Sequence, residues 1–411
     1  MHLFLFDVDS VLVEAQGYLR ALQDTVAYFS RQMGVGEHPP TETEVRALEA
    51  GGLTSEWASG PACVVALLIE RLRLDPTFPL PASWPETLAA LAAHPMPLSH
   101  PDYTSLAEAV GRRMAEGTGA AHTAALTGGA AHAGGAAETA RSVLWKAALD
   151  LPALEARRPA LDSLLDALLG HTHDFFRAPV TRHFQHLVIG SRAIAATYGI
   201  AADFESPAYL ARYDHPLLTS ATRAQIEEHI TTGRVRAALY TARPSLPPVD
   251  VDTLVNGYSP EAEMARSLVQ LDAYPLIGLG RMAWLAQRTG DQVERLVKPS
   301  PVQALAAVGA ARSGAEAASL EAALALHRAG VLRPPLTAVD GCIIHVFEDS
   351  AGGIDAVRQG VEALRAAGLN ATCQPYGITP PTGPKATAMA ARGVETYPSI
   401  NHAVRAALDT I

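Results

Sequence analysis

At 411 residues the chain exceeds what one hydrophobic core usually serves, so a core domain plus an accessory domain is expected. With 48% apolar and 18% charged residues and a mean hydropathy of +0.10 it belongs among compact folded proteins, and a net charge of −10 opposes adhesion to nucleic acid or anionic lipid. Three scattered cysteines, Cys63, Cys342 and Cys373, have no zinc spacing and read as buried thiols in a reducing compartment. The first residues lack a basic leader and a cleavage site, and no run of about 18 apolar residues occurs, so a cytoplasmic protein without a membrane span is expected.

The chain opens with HLFLF at 2–6, a short apolar run that stops at the acidic DVD. A buried parallel strand delivers polar groups to a sheet edge in this way. From there to residue 234 strand character is almost absent, and Ala- and Leu-rich stretches predict helices at 17–34, 42–50, 61–73, 86–93, 104–116, 137–149, 159–176, 189–198 and 219–232, the last with Ser220 as N-cap. Within them, GTGAAHTAALTGGAAHAGGA at 117–136 is low in complexity and reads as a flexible connection with solvent-facing histidines.

Strand-like runs resume at VRAALYT (235–241), VERLVK (293–298) and CIIHVFED (342–349), with a further strand at 369–376 and an added helix at 313–333. The fold class is therefore α/β: a Rossmann-like, doubly wound parallel sheet formed by 1–15 and 235–411, with a large all-α domain, 16–234, inserted after the first strand.

The strand ends carry the chemistry. Ligands of open α/β sheets bind beyond the carboxyl ends of the strands, so Asp7 and Asp9, Thr241, Lys298, and Glu348 with Asp349 would converge on one crevice. One aspartate of an i, i+2 pair can attack phosphorus while the other protonates the leaving oxygen and later takes a proton from water. An isolated D-x-D is more often a solvated turn, and the other strand ends are what weigh against that. Thr241 offers a hydroxyl and Lys298 a cation to a phosphoryl group. Asp7, the main-chain carbonyl of Asp9, Glu348 and Asp349 offer hard oxygens to Mg2+, which would let an anionic nucleophile approach an anionic substrate.

These residues resemble the four motifs of the haloacid dehalogenase (HAD) superfamily, in order: FDVDSVL at 6–12, LYTARPS at 239–245, KPSPVQALAA at 298–307 and VFEDSAGGIDAVRQG at 346–360. The last is similar to the beta-phosphoglucomutase and phosphoglycolate phosphatase-like branch. The resemblance spans the sheet domain and implies Asp7 as nucleophile, Asp9 as acid/base, Thr241 and Lys298 as phosphate binders and Glu348 and Asp349 as metal-site acids. It also implies that the helical insert is a C1-type cap that closes the site and selects the substrate.

Two positions depart from the family pattern. Ser10 replaces the usual glycine and is expected to give its backbone N–H to the phosphate. Arg243 is expected either to touch the substrate or to pair with a surface acid. In the insert, GGLTSEWASG at 51–60 either lowers Thr54, Ser55 and Glu56 into the crevice or uses Thr54 or Ser55 as a helix cap over a packed Trp57. The histidines and arginines of 171–186 either bind an anion or a metal or lie on a helix surface. A phosphatase acting on a small phosphorylated metabolite is the leading expectation. A sugar-phosphate mutase and a non-catalytic binding protein of the same fold are the rivals. The oligomeric state is open, with the cap helices a candidate homodimer surface.

Overall fold

The computed structural model describes residues 1–118, 130–149, 157–252 and 258–411. The strands are β1 (His2–Phe6), β2 (Val13–Glu14), β3 (His215–Pro216), β4 (Val235–Tyr240), β5 (Leu276–Ile277), β6 (Ile343–Glu348), β7 (Thr372–Ile378) and β8 (Thr396–Tyr397). Six of them form a parallel sheet in the order β5-β4-β1-β6-β7-β8. This is the Rossmann-like α/β core read from the sequence.

β1 is central because it is apolar at almost every position, with Leu3, Phe4, Leu5 and Phe6 fully buried, as a strand covered on both faces must be. Its alternating side chains serve two layers. Leu3 and Leu5 pack with Ala238, Tyr240, Ile344 and Val346 under the helices Pro301–Ser313, Glu316–Ala329 and Ala351–Ala366. Phe4 and Phe6 pack with Ala237, Leu239 and Phe347 under Ser220–Thr231, Glu261–Leu268 and Ile400–Leu408. The register pairs Phe6 with Leu239 on one side and with Phe347 on the other, so the residues that follow all three strands emerge at one edge.

Helices of residues 17–213 enter and leave through β2 and β3, a two-residue antiparallel pair with Val13 opposite Pro216 and Glu14 opposite His215. They share an apolar core of their own, including Leu22, Phe29, Val64, Leu68, Leu165 and Phe184, that ends at Leu210. Local signals place their starts: Thr41 and Glu44 form a reciprocal capping box, and Ser83 caps Trp84–Ala93. The helix Pro179–Tyr198 breaks at Gly190, φ +79°, where any Cβ would stand 2.6 Å from the backbone nitrogen of Ala208.

Several expectations need correction. The run at 293–298 is a single 3-10 turn, Val293–Arg295, not a strand, and the sheet instead gains β5 at its edge. Thr219, not Ser220, caps Ser220–Thr231, and that helix packs on the sheet through Ile226, with Leu218 just before it, rather than with the inserted helices. The helix expected over 159–176 stops at Leu169, and the one expected from 189 begins at Pro179. Most of the low-complexity stretch, 119–129, lies outside the described residues. Cys63 and Cys342 are buried, Cys373 is half-buried, and all three are free thiols. Among the described residues no helix is long and apolar enough to cross a membrane.

Candidate active site

β1 hands over Asp7, whose N–H still donates to Phe347 O at 3.0 Å, and there the chain turns sharply. Val8 O accepts from the N–H groups of Leu12 and Val13, both at 2.9 Å, while Ser10 adopts φ +62°. Ser10 N–H donates to Val13 O at 2.8 Å, so it is committed to the turn and not offered to a phosphate as expected.

Lys298 Nζ donates to Asp7 Oδ1 at 2.8 Å and to Glu348 Oε1 at 2.6 Å, lying 3.8 Å from the centre of the Tyr240 ring. Burial opposes the lysine's charge, yet Asp7 and Glu348 carry its pKa above the ordinary value. Burial also raises the Asp7 carboxyl well above the usual carboxylate range, Glu348 adds to the rise, and Lys298 counteracts it. Glu348 is fully buried and held by Ser350, whose N–H and hydroxyl both donate to Oε2 at 3.0 Å. A Cβ at Gly353 would fall 1.7 Å from Glu348 Oε1, so the first turn of the helix Ala351–Ala366 leaves room for this carboxylate only as glycine. Asp349, raised by burial, is bonded to Lys385.

One oxygen each from Asp7, Glu348 and Asp349 lies within 4.8 Å of the others, the one such group of potential metal ligands among the described residues. An all-oxygen set of three acids suits a hard divalent cation such as Mg2+.

Lys298 does not sit at a strand end. Its loop is fastened by Gln303, which accepts Lys298 N–H through Oε1 at 3.1 Å and donates through Nε2 to Thr241 O at 2.9 Å and Ile277 O at 3.0 Å. Thr241 is fully buried, and its Oγ1 accepts Arg243 N–H at 3.2 Å, which leaves its own hydroxyl proton to donate.

Asp9 is not one of these three acids and pairs with Arg243. Arg243 Nε spans its two oxygens at 2.9 and 3.0 Å, and Nη2 reaches Asp9 Oδ1 at 2.5 Å and Asp214 Oδ2 at 3.0 Å. Arg243 is therefore buried against a site aspartate rather than paired with a surface acid, and Nη1 has no partner among the described residues.

The loop at 51–60 separates its three candidates. Thr54 is exposed, Ser55 accepts Trp57 N–H at 3.3 Å as the cap of Glu56–Leu74, and Glu56 occupies the first turn of that helix. Burial pushes the Glu56 carboxyl up to about 7, with Glu49, Glu261 and Asp9 near enough to add to the rise. Trp57 packs against His173, ring centres 5.5 Å apart. In 171–186, His183 stacks on Tyr28 at 4.0 Å, His186 lies between Phe175 and Phe204, and Arg182 pairs with Asp203, so these residues serve packing.

Asp214, Gln303 and Lys385 were not singled out from the sequence. Only Lys385 carries a local signal, following Gly383-Pro384 at a helix start.

No family model and no curated protein matches the chain. Among solved structures, the X-ray structure of a Northeast Structural Genomics Consortium target is similar with a TM-score of 0.59 at 14% identity, covering 100% of this chain and 98% of that one. Two others are a putative beta-phosphoglucomutase from Thermotoga maritima (TM-score 0.36, 12% identity, 100% of both chains) and phosphatase Tt82 from Thermococcus thioreducens (0.39, 13%, 90% of this chain and 91% of that one). The chain thus shares its fold, a Rossmann-like parallel α/β sheet with helical insertions, with the structural-genomics target.

Proposed function

We propose that the chain is a HAD-type phosphatase, a magnesium-dependent enzyme that hydrolyses a small phosphomonoester through an aspartyl phosphate on Asp7. The observation that carries this reading is the position of Lys298 Nζ, within hydrogen-bond reach of both Asp7 and Glu348 where the central strands end, with Asp349 alongside. The four motifs that resemble the HAD pattern supply its residues.

Asp7, the main-chain carbonyl of Asp9, Glu348 and Asp349 would hold Mg2+, which supplies charge neutralisation between the nucleophile and the phosphoryl oxygens. Lys298 stabilises Asp7 as the carboxylate and then neutralises a phosphoryl oxygen as charge moves onto the phosphate. Thr241 donates its hydroxyl proton to a second oxygen. An Asp7 oxygen forms the bond to phosphorus, the bond to the leaving oxygen breaks, and Asp9 protonates that oxygen. Asp9 then takes a proton from the water that hydrolyses the acyl phosphate, returning Asp7 as a free carboxylate.

The inserted helices act as the cap that excludes water and selects the substrate. Glu56, at the start of an inserted helix, feels the charge of Asp9, and the unpaired Nη1 of Arg243 leaves one donor for a substrate oxygen.

Phosphate release from sugar phosphates, phosphoglycolate, nucleotides and p-nitrophenyl phosphate, with and without Mg2+, tests the proposal. At least one substrate should turn over with Mg2+, and Asp7→Asn should lower the rate by 10³-fold or more, roughly the loss of a covalent nucleophile. Activity that survives Asp7→Asn, or turnover indifferent to metal, would overturn it.

A further inference from the structure

Both crossings into the helical insert meet one side chain, Asp214. It is buried and immediately precedes β3. Its Oδ1 accepts the N–H of Gly17, where the first inserted helix begins, at 2.8 Å, and its Oδ2 accepts Arg243 Nη2 at 3.0 Å. The same Nη2 reaches Asp9 Oδ1 at 2.5 Å. One residue beyond Gly17, the ring of Tyr18 lies 5.1 Å beneath the guanidinium carbon of Arg243. The insert thus touches Arg243 at its entry and at its exit, and Arg243 in turn fixes the plane of the Asp9 carboxylate.

We propose that Asp214 is a positioning residue that couples the seat of the helical insert to the aim of Asp9, through Arg243. A planar guanidinium held by two carboxylates and an aromatic face has little freedom to rotate. With Asp214 in place, Asp9 faces the leaving-group oxygen only while the insert occupies this seat. Without it, Arg243 keeps one anionic anchor and Asp9 swings with it. Misaiming a proton donor costs rate without touching the nucleophile. The inference rests on the phosphatase reading, in which Asp9 protonates the leaving oxygen.

The test compares kcat/KM, which reports the steps through formation of the aspartyl phosphate, for an alkyl phosphomonoester and for p-nitrophenyl phosphate. An alkoxide leaves only with a proton, whereas p-nitrophenolate leaves without one. Asp214→Asn keeps an oxygen for Gly17 N–H but turns an amide towards Arg243. The alkyl-to-aryl ratio of kcat/KM should fall tenfold or more, Asp9→Asn should lower it in the same direction, and the double variant should fall no further than Asp9→Asn alone. Arg243→Lys, which reaches Asp9 but cannot hold both carboxylates, should lower the ratio as well, and it carries the test if Asp214→Asn does not fold. If the wild type is Asp7-dependent and these variants lower both substrates equally, the coupling is wrong and the phosphatase reading stands. If wild-type turnover is absent or independent of Asp7, both fall together.

Discussion

Ser10 occupies a left-handed backbone position, φ +62°, in a turn that must bring the chain back within three residues of Asp7. A side chain there costs about 1 kcal/mol relative to glycine. The bond from Ser10 N–H to Val13 O offsets part of that cost by closing the turn that places Asp9 beside Arg243. Glu56 is a second residue under tension. Its folded pKa of about 7 exceeds the ordinary 4.5, so between those values the folded chain holds a proton that the unfolded chain has lost. The sign follows: stability is greatest below about pH 4.5 and declines as pH rises through 7. Glu56→Gln, which cannot ionise, should therefore gain stability over the wild type between pH 5 and pH 8, by something on the order of 2 kcal/mol. Thermal melts of both proteins across that range check this, and a pH-independent difference would refute it. At this scale Asp7, Lys298, Glu348 and Asp349 were legible because each stands beside an apolar run or within a recognisable motif. Asp214 was not, since its partners Gly17 and Arg243 are remote in sequence or unremarkable, and a lone buried aspartate has no pattern.

Among the elements, VERLVK ends an apolar stretch on a polar group as the strands do but lacks their alternation, and it folds as a 3-10 turn, Val293–Arg295. The strand position next to β4 is taken by Leu276 and Ile277, too short a run to stand out in sequence. β5 holds because a buried carboxylate supplements its brief ladder. Glu316 accepts Leu276 N–H at 2.9 Å, Arg281 Nε at 3.0 Å and Val249 N–H at 3.1 Å, joining the edge strand, a helix and a loop. Arg281 is itself fully buried and bonded to Glu263. Glu316→Ala would leave the buried Arg281 with one carboxylate partner, Glu263, and strand the buried Leu276 N–H, and it should cost about 2–4 kcal/mol. Urea unfolding measures this, and a loss under about 1 kcal/mol would mean that the network is replaceable. The inserted helices were legible as helices because their caps are local, as Thr41 with Glu44 shows, and the boundaries at Leu169 and Pro179 also follow local signals, Gly170 as C-cap and Pro179 at the first helical position, that apolar periodicity alone passes over.

On the scale of the whole molecule, the helical insert and the sheet have separate apolar cores, and polar contacts join them. Glu261, 1% exposed at the start of a sheet-side helix, accepts from Tyr18 Oη at 2.5 Å and from Gln185 Nε2 at 2.7 Å, both on inserted helices. Burial raises its carboxyl, and the two donors counteract the rise. Glu261→Ala should loosen the insert, raising amide hydrogen exchange across 17–32 and 179–198 while the amides of β1 and β6 keep their protection. Unchanged exchange in those helices would show that the seat does not depend on this contact. The two-core organisation was legible from the gap in strand character after β1, and the seat between the cores was not, because it is made of single side chains.

β2 and β3 have a consequence for how such a chain arises. Glu14 and His215 lie directly opposite each other in an antiparallel pair, so a two-residue turn could join them and close an ordinary hairpin. Everything between is then topologically a detour, one that a genome can acquire, enlarge or exchange in a single event while the parallel scaffold keeps its connectivity.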